Sequence, residues 1–191
     1  MVLAKVSAER EPTRERLVRE ARRILESDGY AALTVRGVAR ALKLSTAAPY
    51  KHFEDGFPEM LARIAQEGFQ ELIEAMERVR SAGPRERVVD VGLAYVRFGV
   101  ERPDLYRAMF SAHMAGRIEL HDDLLKAGNI TSKSREVYAR LHAVKVEAFT
   151  ALVVPLEEAQ CERVLKNGNP QEFGLAMAAL LHGLVGEFID E

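Results

Sequence analysis

Apolar residues recur along most of the chain at the three- and four-residue spacing of an α-helix. The first such stripe consists of Leu17, Val18, Ala21, Ile24 and Leu25, which would share one helix face. Gly29 is expected to end this helix, because glycine adopts the left-handed conformation of a C-cap without strain. No segment alternates apolar and polar residues over the length of a strand. The pattern therefore predicts an all-α protein.

Two short helices are predicted after the first. Thr34 is a suitable N-cap for the second helix, whose inner face would consist of Val35, Val38, Ala39 and Leu42. Ser45 is a suitable N-cap for a third helix over residues 45–53, with Pro49 near its first turn. Short helices joined by such tight turns describe a helix-turn-helix. A three-helix bundle without a ligand would show the same spacing.

The remainder of the chain is predicted to consist of longer helices separated by glycine and proline. The first covers residues 59–80 and would direct inward Leu61, Ile64, Ala65, Phe69, Leu72, Ile73 and Met76. Further helices are predicted over residues 85–101, 103–116, 120–127, 132–157 and 170–189. The last is apolar nearly all round, so it should be buried both in its own core and against a partner.

Composition narrows the class of protein. The chain has 191 residues, 48% hydrophobic and 29% charged, which suits a globular protein of one or two domains. The longest apolar run without a formal charge, residues 173–186, has 14 residues and is shorter than the ~20 that a membrane span needs. Charged residues interrupt the N-terminus, which does not resemble a secretory signal. The single cysteine, Cys161, excludes an internal disulfide and suits a reducing cytoplasm.

Charge is unevenly distributed along the chain. The net charge is only −2, but residues 1–52 contain 11 Lys and Arg against 6 Asp and Glu, and the rest contains 16 against 23. A basic N-terminal unit is therefore joined to an acidic body. Basic units attract phosphate backbones, although a charged face is often only a solvated one.

Residue identity separates the two interpretations of the three short helices. An arginine-rich first helix ends at Gly29-Tyr30, and Leu33-Thr34-Val35-Arg36-Gly37-Val38-Ala39 follows. Residues 42–53 then read Leu-Lys-Leu-Ser-Thr-Ala-Ala-Pro-Tyr-Lys-His-Phe. Together these segments resemble the TetR family of bacterial transcriptional repressors. The resemblance implies a helix-turn-helix DNA-binding domain over residues 1–57, with a disordered arm over about residues 1–11. It implies a helical effector-binding and dimerisation domain over residues 58–191.

The helix-turn-helix should place its third helix in the major groove. The short side chains of Thr46 and Ala47 would let that helix approach base edges, whereas Lys51 would contact phosphate oxygens. His52 could equally cap or pack. The expected DNA-binding residues are Thr34, Arg36, Ser45, Thr46, Ala47, Tyr50, Lys51 and His52. The linker Gly56-Phe57-Pro58 departs from the family pattern by about one residue, which leaves open how the linker helix moves.

The C-terminal part is similar to one TetR subgroup. Residues 92–98 and 101–110 carry this similarity, and Leu181-His182-Gly183 matches the end of that subgroup's Trp-x-x-x-His-Gly element, although Ala178 occupies the tryptophan position. The family implies an effector pocket, for which the candidates are Tyr95, Phe98, Tyr106, Met109, Phe110 and Phe149. At helical spacing these residues are also typical of plain core. The expected homodimer contacts lie on the last helix, at Phe173, Met177, Leu180, His182 and Leu184.

The resulting prediction is a ligand-responsive repressor that binds a palindromic operator as a homodimer and releases it when a small-molecule effector binds. A TetR-fold activator or a protein-binding regulator would have the same sequence features. A helical metalloenzyme would need Glu-x-x-His pairs, and no histidine has a glutamate three residues before it. We therefore expect no enzymatic activity, no metal and no cofactor.

Overall fold

The computed structural model describes residues 13–111 and 131–189. The α-helices of these residues are α1 (Thr13–Asp28), α2 (Val35–Ala41), α3 (Phe57–Glu77), α4 (Pro84–Glu101), α5 (Pro103–Phe110), α6 (Ser132–Cys161) and α7 (Pro170–Ile189). Two short 3₁₀ helices cover Tyr30–Ala32 and Pro49–Lys51. No strand occurs in the described residues, and the all-α prediction is confirmed. The expected N-terminal arm and the predicted helix over residues 120–127 lie outside the described residues.

The first two helices form as the sequence predicts. The apolar stripe of α1 is buried, and Gly29 leaves the helix with a φ of 86°, a conformation that favours glycine. The Thr34 hydroxyl accepts a hydrogen bond from the Gly37 N–H at 3.0 Å and so caps α2. On the inner face of α2, Val38 and Ala39 are fully buried.

The third helix is shorter and tighter than predicted. Instead of a helix over residues 45–53, successive turns lead into the 3₁₀ helix Pro49–Lys51. Because Pro49 has no N–H, the Ser45 carbonyl cannot accept the α-helical bond from residue 49. It accepts instead from the Ala48 N–H at 3.0 Å. The short helix begins after Ala48 without a side-chain cap, so the expected cap at Ser45 does not form.

Helix α3 joins the N-terminal unit to the body. Gly56 precedes it with a φ of 66°, and the inward residues predicted for this helix are buried. Its contacts extend to α1, α4, α5 and α6, and one continuous core reaches from Leu17 to Val185. The N-terminal unit and the body are thus packed around a shared helix.

Helices α6 and α7 close the body. Helix α6 continues to Cys161, four residues beyond the predicted end, and contains Pro155. Helix α7 packs on α4 and α6, and its buried residues are Gly174, Leu181 and Val185. By length and composition alone α7 would also suit a membrane span. Its other side exposes the large apolar residues Phe173, Leu175, Leu180, Leu184 and Phe188.

Candidate DNA-binding surface and ligand cleft

The predicted DNA-binding residues lie on the surface of the N-terminal unit. Buried Pro49 and Phe53 fix the turn from inside. Of the eight predicted contact residues, only His52 is half-buried; the exposed ones are Thr34, Arg36, Ser45, Thr46, Ala47, Tyr50 and Lys51. The unit can therefore offer short, hydroxyl-bearing and cationic side chains to a ligand without rearranging its core.

The turn between α2 and the Pro49–Lys51 helix contains Lys43, a basic residue that is not among the predicted DNA contacts. Lys43 is exposed and has a φ of 55°, which lets the Leu44 N–H donate back to the Ala39 carbonyl at 2.9 Å. Arg40 is exposed. Only their positive charge could have indicated these two residues from sequence.

The linker holds Tyr50 against the backbone. A Cβ atom at Gly56 would lie 3.2 Å from the ring of Tyr50, so the ring packs closely over this glycine. Phe57 and Pro58 form the first turn of α3. The segment Gly56-Phe57-Pro58, which departs from the family pattern, thus begins α3 beside Tyr50, an expected DNA contact.

A buried carboxylate joins the N-terminal unit to the body. Glu59, in the first turn of α3, is 1% exposed. Its carboxylate accepts from the Arg14 guanidinium at 2.5 Å, the Ser134 hydroxyl at 2.9 Å and the Asp55 N–H at 3.2 Å. These partners come from α1, α6 and the linker. Sequence analysis did not find Glu59; its place three residues before buried Ala62 was the available signal.

Two more polar links join the same units. The Tyr30 N–H donates to Asp104 of α5 at 2.9 Å. The Tyr138 hydroxyl of α6 donates to Asp55 at 2.5 Å. A hydrogen bond from Thr131 lowers the pKa of the nearby Glu54 carboxyl. A shift of α5 or of the N-terminal end of α6 would therefore act directly on the residues that flank the helix-turn-helix.

Five of the six residues predicted for the effector pocket lie in or against the hydrophobic core. The core buries Tyr95, Phe98, Tyr106 and Met109. Phe110 is partly buried and packs against this core. Phe149 lies apart, because its ring faces Gly174 of α7. That these six residues contact an effector stays a prediction.

The aromatic residues instead build a hydrogen-bonded chain to α7. The hydroxyls of Tyr95 and Tyr106 lie 2.9 Å apart, and the Tyr106 hydroxyl lies 2.5 Å from Nδ1 of His182. Burial raises the pKa of both tyrosines and lowers that of His182. A neutral imidazole can accept the Tyr106 proton in a hydrogen bond. His182, expected at a dimer interface, thus also contacts the core.

A cleft that sequence analysis did not find lies between α3, α4 and α6. It encloses about 430 Å³, a size typical of small-molecule sites. Its wall includes the apolar residues Ile73, Met76, Val91, Val146 and Val154. Gln70 and Arg87 add polar groups, and Arg87 forms an ion pair with Glu158 at 3.0 Å. No three His, Cys, Asp or Glu side chains among the described residues are placed to hold a metal.

Comparisons with known proteins agree with this geometry. Residues 17–55 match the sequence profile described as "Bacterial regulatory proteins, tetR family". No curated protein sequence matches the chain. The structure is similar to that of a protein of unknown function from Rhodococcus sp. RHA1, with a TM-score of 0.70 and 25% identity over 97% of this chain and 89% of that one.

Two further solved structures share the fold. One is the TetR family transcriptional regulator PfmR from Thermus thermophilus, with a TM-score of 0.64 and 24% identity over 93% of this chain and 86% of that one. The other is AibR, which was solved with isovaleryl coenzyme A and operator DNA. Its TM-score is 0.52, and its identity is 16% over 92% of this chain and 86% of that one. TetR-family regulators are transcription factors and not enzymes, as the sequence predicts for this chain. Residues 17–55 are therefore the N-terminal domain of the tetR family of bacterial regulatory proteins, in a chain with the fold of TetR-family transcriptional regulators.

Proposed function

We propose that the protein is a ligand-responsive transcriptional repressor, which holds its operator as a homodimer until a small-molecule effector releases it. The observation that carries the proposal is the surface of the tetR-type domain, where all predicted contact residues except half-buried His52 are exposed. Residues 1–57 would bind DNA, and residues 58–191 would bind the effector and dimerise. Such a regulator acts in the cytoplasm. The C-terminal likeness to the Trp-x-x-x-His-Gly subgroup stays a prediction.

The exposed residues divide by the contacts that they can make. Thr46 and Ala47 are short enough to bring the backbone of the turn close to base edges, including the thymine methyl group. Lys51, Arg36 and Tyr50 would bind phosphate oxygens and so position the domain. The Thr34 oxygen accepts from Gly37, which leaves its O–H free to donate to a phosphate. Ser45 and His52 complete the proposed set.

A homodimer accounts for the apolar outer face of α7. Leu180 is 71% exposed and Phe188 57% exposed, and such a row of apolar side chains marks an interaction site more often than a solvated surface. Phe173, Met177, His182 and Leu184 would share this interface. Two-fold symmetry would then place the two N-terminal units on a palindromic operator. Its half-sites would be separated by about one turn of DNA or by a whole number of turns.

The effector would occupy the cleft between α3, α4 and α6. An apolar ligand in contact with Ile73 and Val91 would press on α3, the helix whose first turn holds Glu59 and the linker. An effector can release DNA only if it prefers the conformation that does not bind DNA. AibR, a protein of the same fold, was solved with both isovaleryl coenzyme A and operator DNA, which supports the pairing of the two ligand types in this fold.

The test is a binding titration with the protein's own upstream DNA. Fluorescence anisotropy at low salt, repeated at increasing salt, should show saturable binding that weakens steeply as counterions compete. Lys51→Ala should weaken binding to every sequence alike and reduce the salt slope by about 1. The matched control, Lys166→Ala, removes an exposed lysine from the loop between α6 and α7 and should bind as wild type does. Failure to bind any upstream palindrome at low salt would overturn the proposal.

A further inference from the structure

An arginine-rich groove runs between α1, α3 and α6, and none of the residues proposed to contact DNA lines it. It encloses about 840 Å³, within the range of small-molecule sites. Six arginines line it: Arg14, Arg19, Arg22, Arg23, Arg63 and Arg140. Three glutamates and one valine complete the lining. The lining residues of the groove therefore carry an excess of positive formal charge.

Two of the acidic lining residues already bind an arginine of the groove. Arg22 forms ion pairs with Glu26 at 3.0 Å and with Glu67 at 3.4 Å. Two of the three glutamates are thus already engaged by one arginine. Of the remaining arginines, Arg14 pairs with Glu59 and Arg140 pairs with Glu136, each at 2.5 Å, whereas Arg63 forms no ion pair within the described residues.

Arg63 is the most unusual member of this group. It is half-buried on α3, forms no ion pair within the described residues, and its Nε is buried without a hydrogen-bond partner there. Burial lowers the pKa of its guanidinium, and the positive charges of Arg14 and Arg140 lower it further. Desolvating a cation beside two others is unfavourable, and a bound anion would reverse the effect.

The Nε of Arg14 is also buried without a partner, whereas its Nη2 binds Glu59. Guanidinium groups hold phosphate oxygens through paired N–H donors. We propose that this groove binds a phosphate-bearing small molecule, held by Arg14, Arg63 and Arg140. The size of the groove leaves room for more than the phosphate alone.

The position of the site gives such a ligand a route to the DNA-binding unit. Arg14 belongs to α1, Arg63 to α3 and Arg140 to α6. One bound anion would therefore join the N-terminal unit to two helices of the body. It would also share Arg14 with Glu59, which already joins these helices. The site differs from the apolar cleft between α3, α4 and α6, and binding to it does not require that the protein bind an operator.

The experiment is calorimetric titration of the full-length protein with inorganic pyrophosphate at constant ionic strength. Wild type should show saturable binding with one site per chain. Arg63→Gln should lose affinity by about tenfold or more, because it removes charge-assisted hydrogen bonds. Arg140→Gln changes a largely exposed side chain and should weaken binding without affecting folding. The control, Arg97→Gln, removes an exposed arginine of α4 and should bind as wild type does.

Three outcomes would overturn the proposal. The first is the absence of saturable pyrophosphate binding to wild type, and the second is unchanged affinity in both Arg63→Gln and Arg140→Gln. The third is binding of pyrophosphate to wild type that operator DNA competes away while Arg140→Gln also binds DNA more weakly, which would assign the groove to the DNA backbone. Circular dichroism of each variant separates a lost site from a lost fold.

Discussion

Glu59 illustrates how one buried charge can join three parts of a chain. Its carboxylate is removed from water, and a buried charge is tolerated only when it is paired and hydrogen-bonded. Arg14 supplies the countercharge, and Ser134 and the Asp55 N–H occupy the other oxygen. The orientation of α1, the linker and α6 thus depends on a single side chain.

Replacing Glu59 with Gln should lower the free energy of unfolding by about 1–3 kcal/mol, because the amide keeps the shape but loses the charge and one acceptor. Arg14 is partly exposed, so water can solvate it and limit the loss. Urea denaturation measures the change. Glu74→Gln, which breaks an exposed pair with Arg78, should stay within about 1 kcal/mol of wild type. Equal midpoints for the two variants would refute the role of Glu59.

His182 should make stability depend on pH. Burial lowers its pKa in the folded protein from the ordinary value of 6.5, so near and below that value the unfolded chain binds more protons. The stabilisation is therefore present above about pH 6.5 and is lost as the pH falls, when protonation of Nδ1 breaks the acceptor role toward Tyr106. Unfolding midpoints measured between neutral and mildly acidic pH should fall less for His182→Gln than for His142→Gln, an exposed control on α6. Parallel pH profiles would contradict this.

At the scale of helices, close packing of α4 on α7 depends on a missing side chain. A Cβ at Gly99 would lie 2.5 Å from Cγ1 of Val185 and 3.1 Å from the ring of Tyr106. Val185 is fully buried, so it cannot turn aside. The helices can approach this closely only because position 99 is glycine.

Gly99→Ala should therefore destabilise the protein by about 1 kcal/mol or more, since overpacking costs ~1–3 kcal/mol and the gain in helix propensity returns up to ~1 kcal/mol. Gly92→Ala on the same helix is the control, because the nearest atom there is the flexible end of Met177 at 3.3 Å. It should be neutral or stabilising in a thermal melt. A Gly99→Ala variant as stable as Gly92→Ala would show that α7 can shift at little cost.

Most helices were predictable because their apolar spacing and their capping residues agree. Thr34 and Gly29 mark ends that the structure confirms. The length and type of the third helix were not predictable. Pro49 lacks an N–H donor, which changes the hydrogen-bond pattern, and apolar spacing does not show that change. Helix α6 continues past Pro155 because that residue is buried in tertiary contacts that outweigh its low propensity.

The candidate site was predictable only where residues adjacent in sequence act together. The exposed residues from Thr34 to Lys51 belong to one short motif, so identity and exposure could be inferred together. The cleft between α3, α4 and α6 and the arginine-rich groove each combine residues from three distant segments. Periodicity shows that Tyr95 or Tyr106 is buried, but it does not show whether a cavity lies beside it.

At the scale of the whole molecule, α7 has one side in the core and the other in solvent. Leu181 and Val185 face α4 and Gly174 faces α6, whereas Leu180 and Leu184 are exposed. The length and composition that would also suit a membrane span are those of a helix buried on two sides. A helix of a second chain would cover the outer side and leave the inner packing unchanged.

Leu180→Glu tests this assignment. In a monomer, replacing a leucine that is 71% exposed should change the free energy of unfolding by no more than about 0.5 kcal/mol. In a dimer it would bury two carboxylates near the symmetry axis and convert the protein to monomers, as measured by light scattering after size exclusion. Val164→Glu, which alters an exposed residue between α6 and α7, should leave the mass unchanged. Two N-terminal units on one dimer bind DNA with an avidity that neither has alone. The monomeric variant should therefore also lose affinity for an operator with two half-sites. It should keep its weak binding to a single half-site. A Leu180→Glu variant that remains dimeric would place the dimer interface elsewhere than on α7.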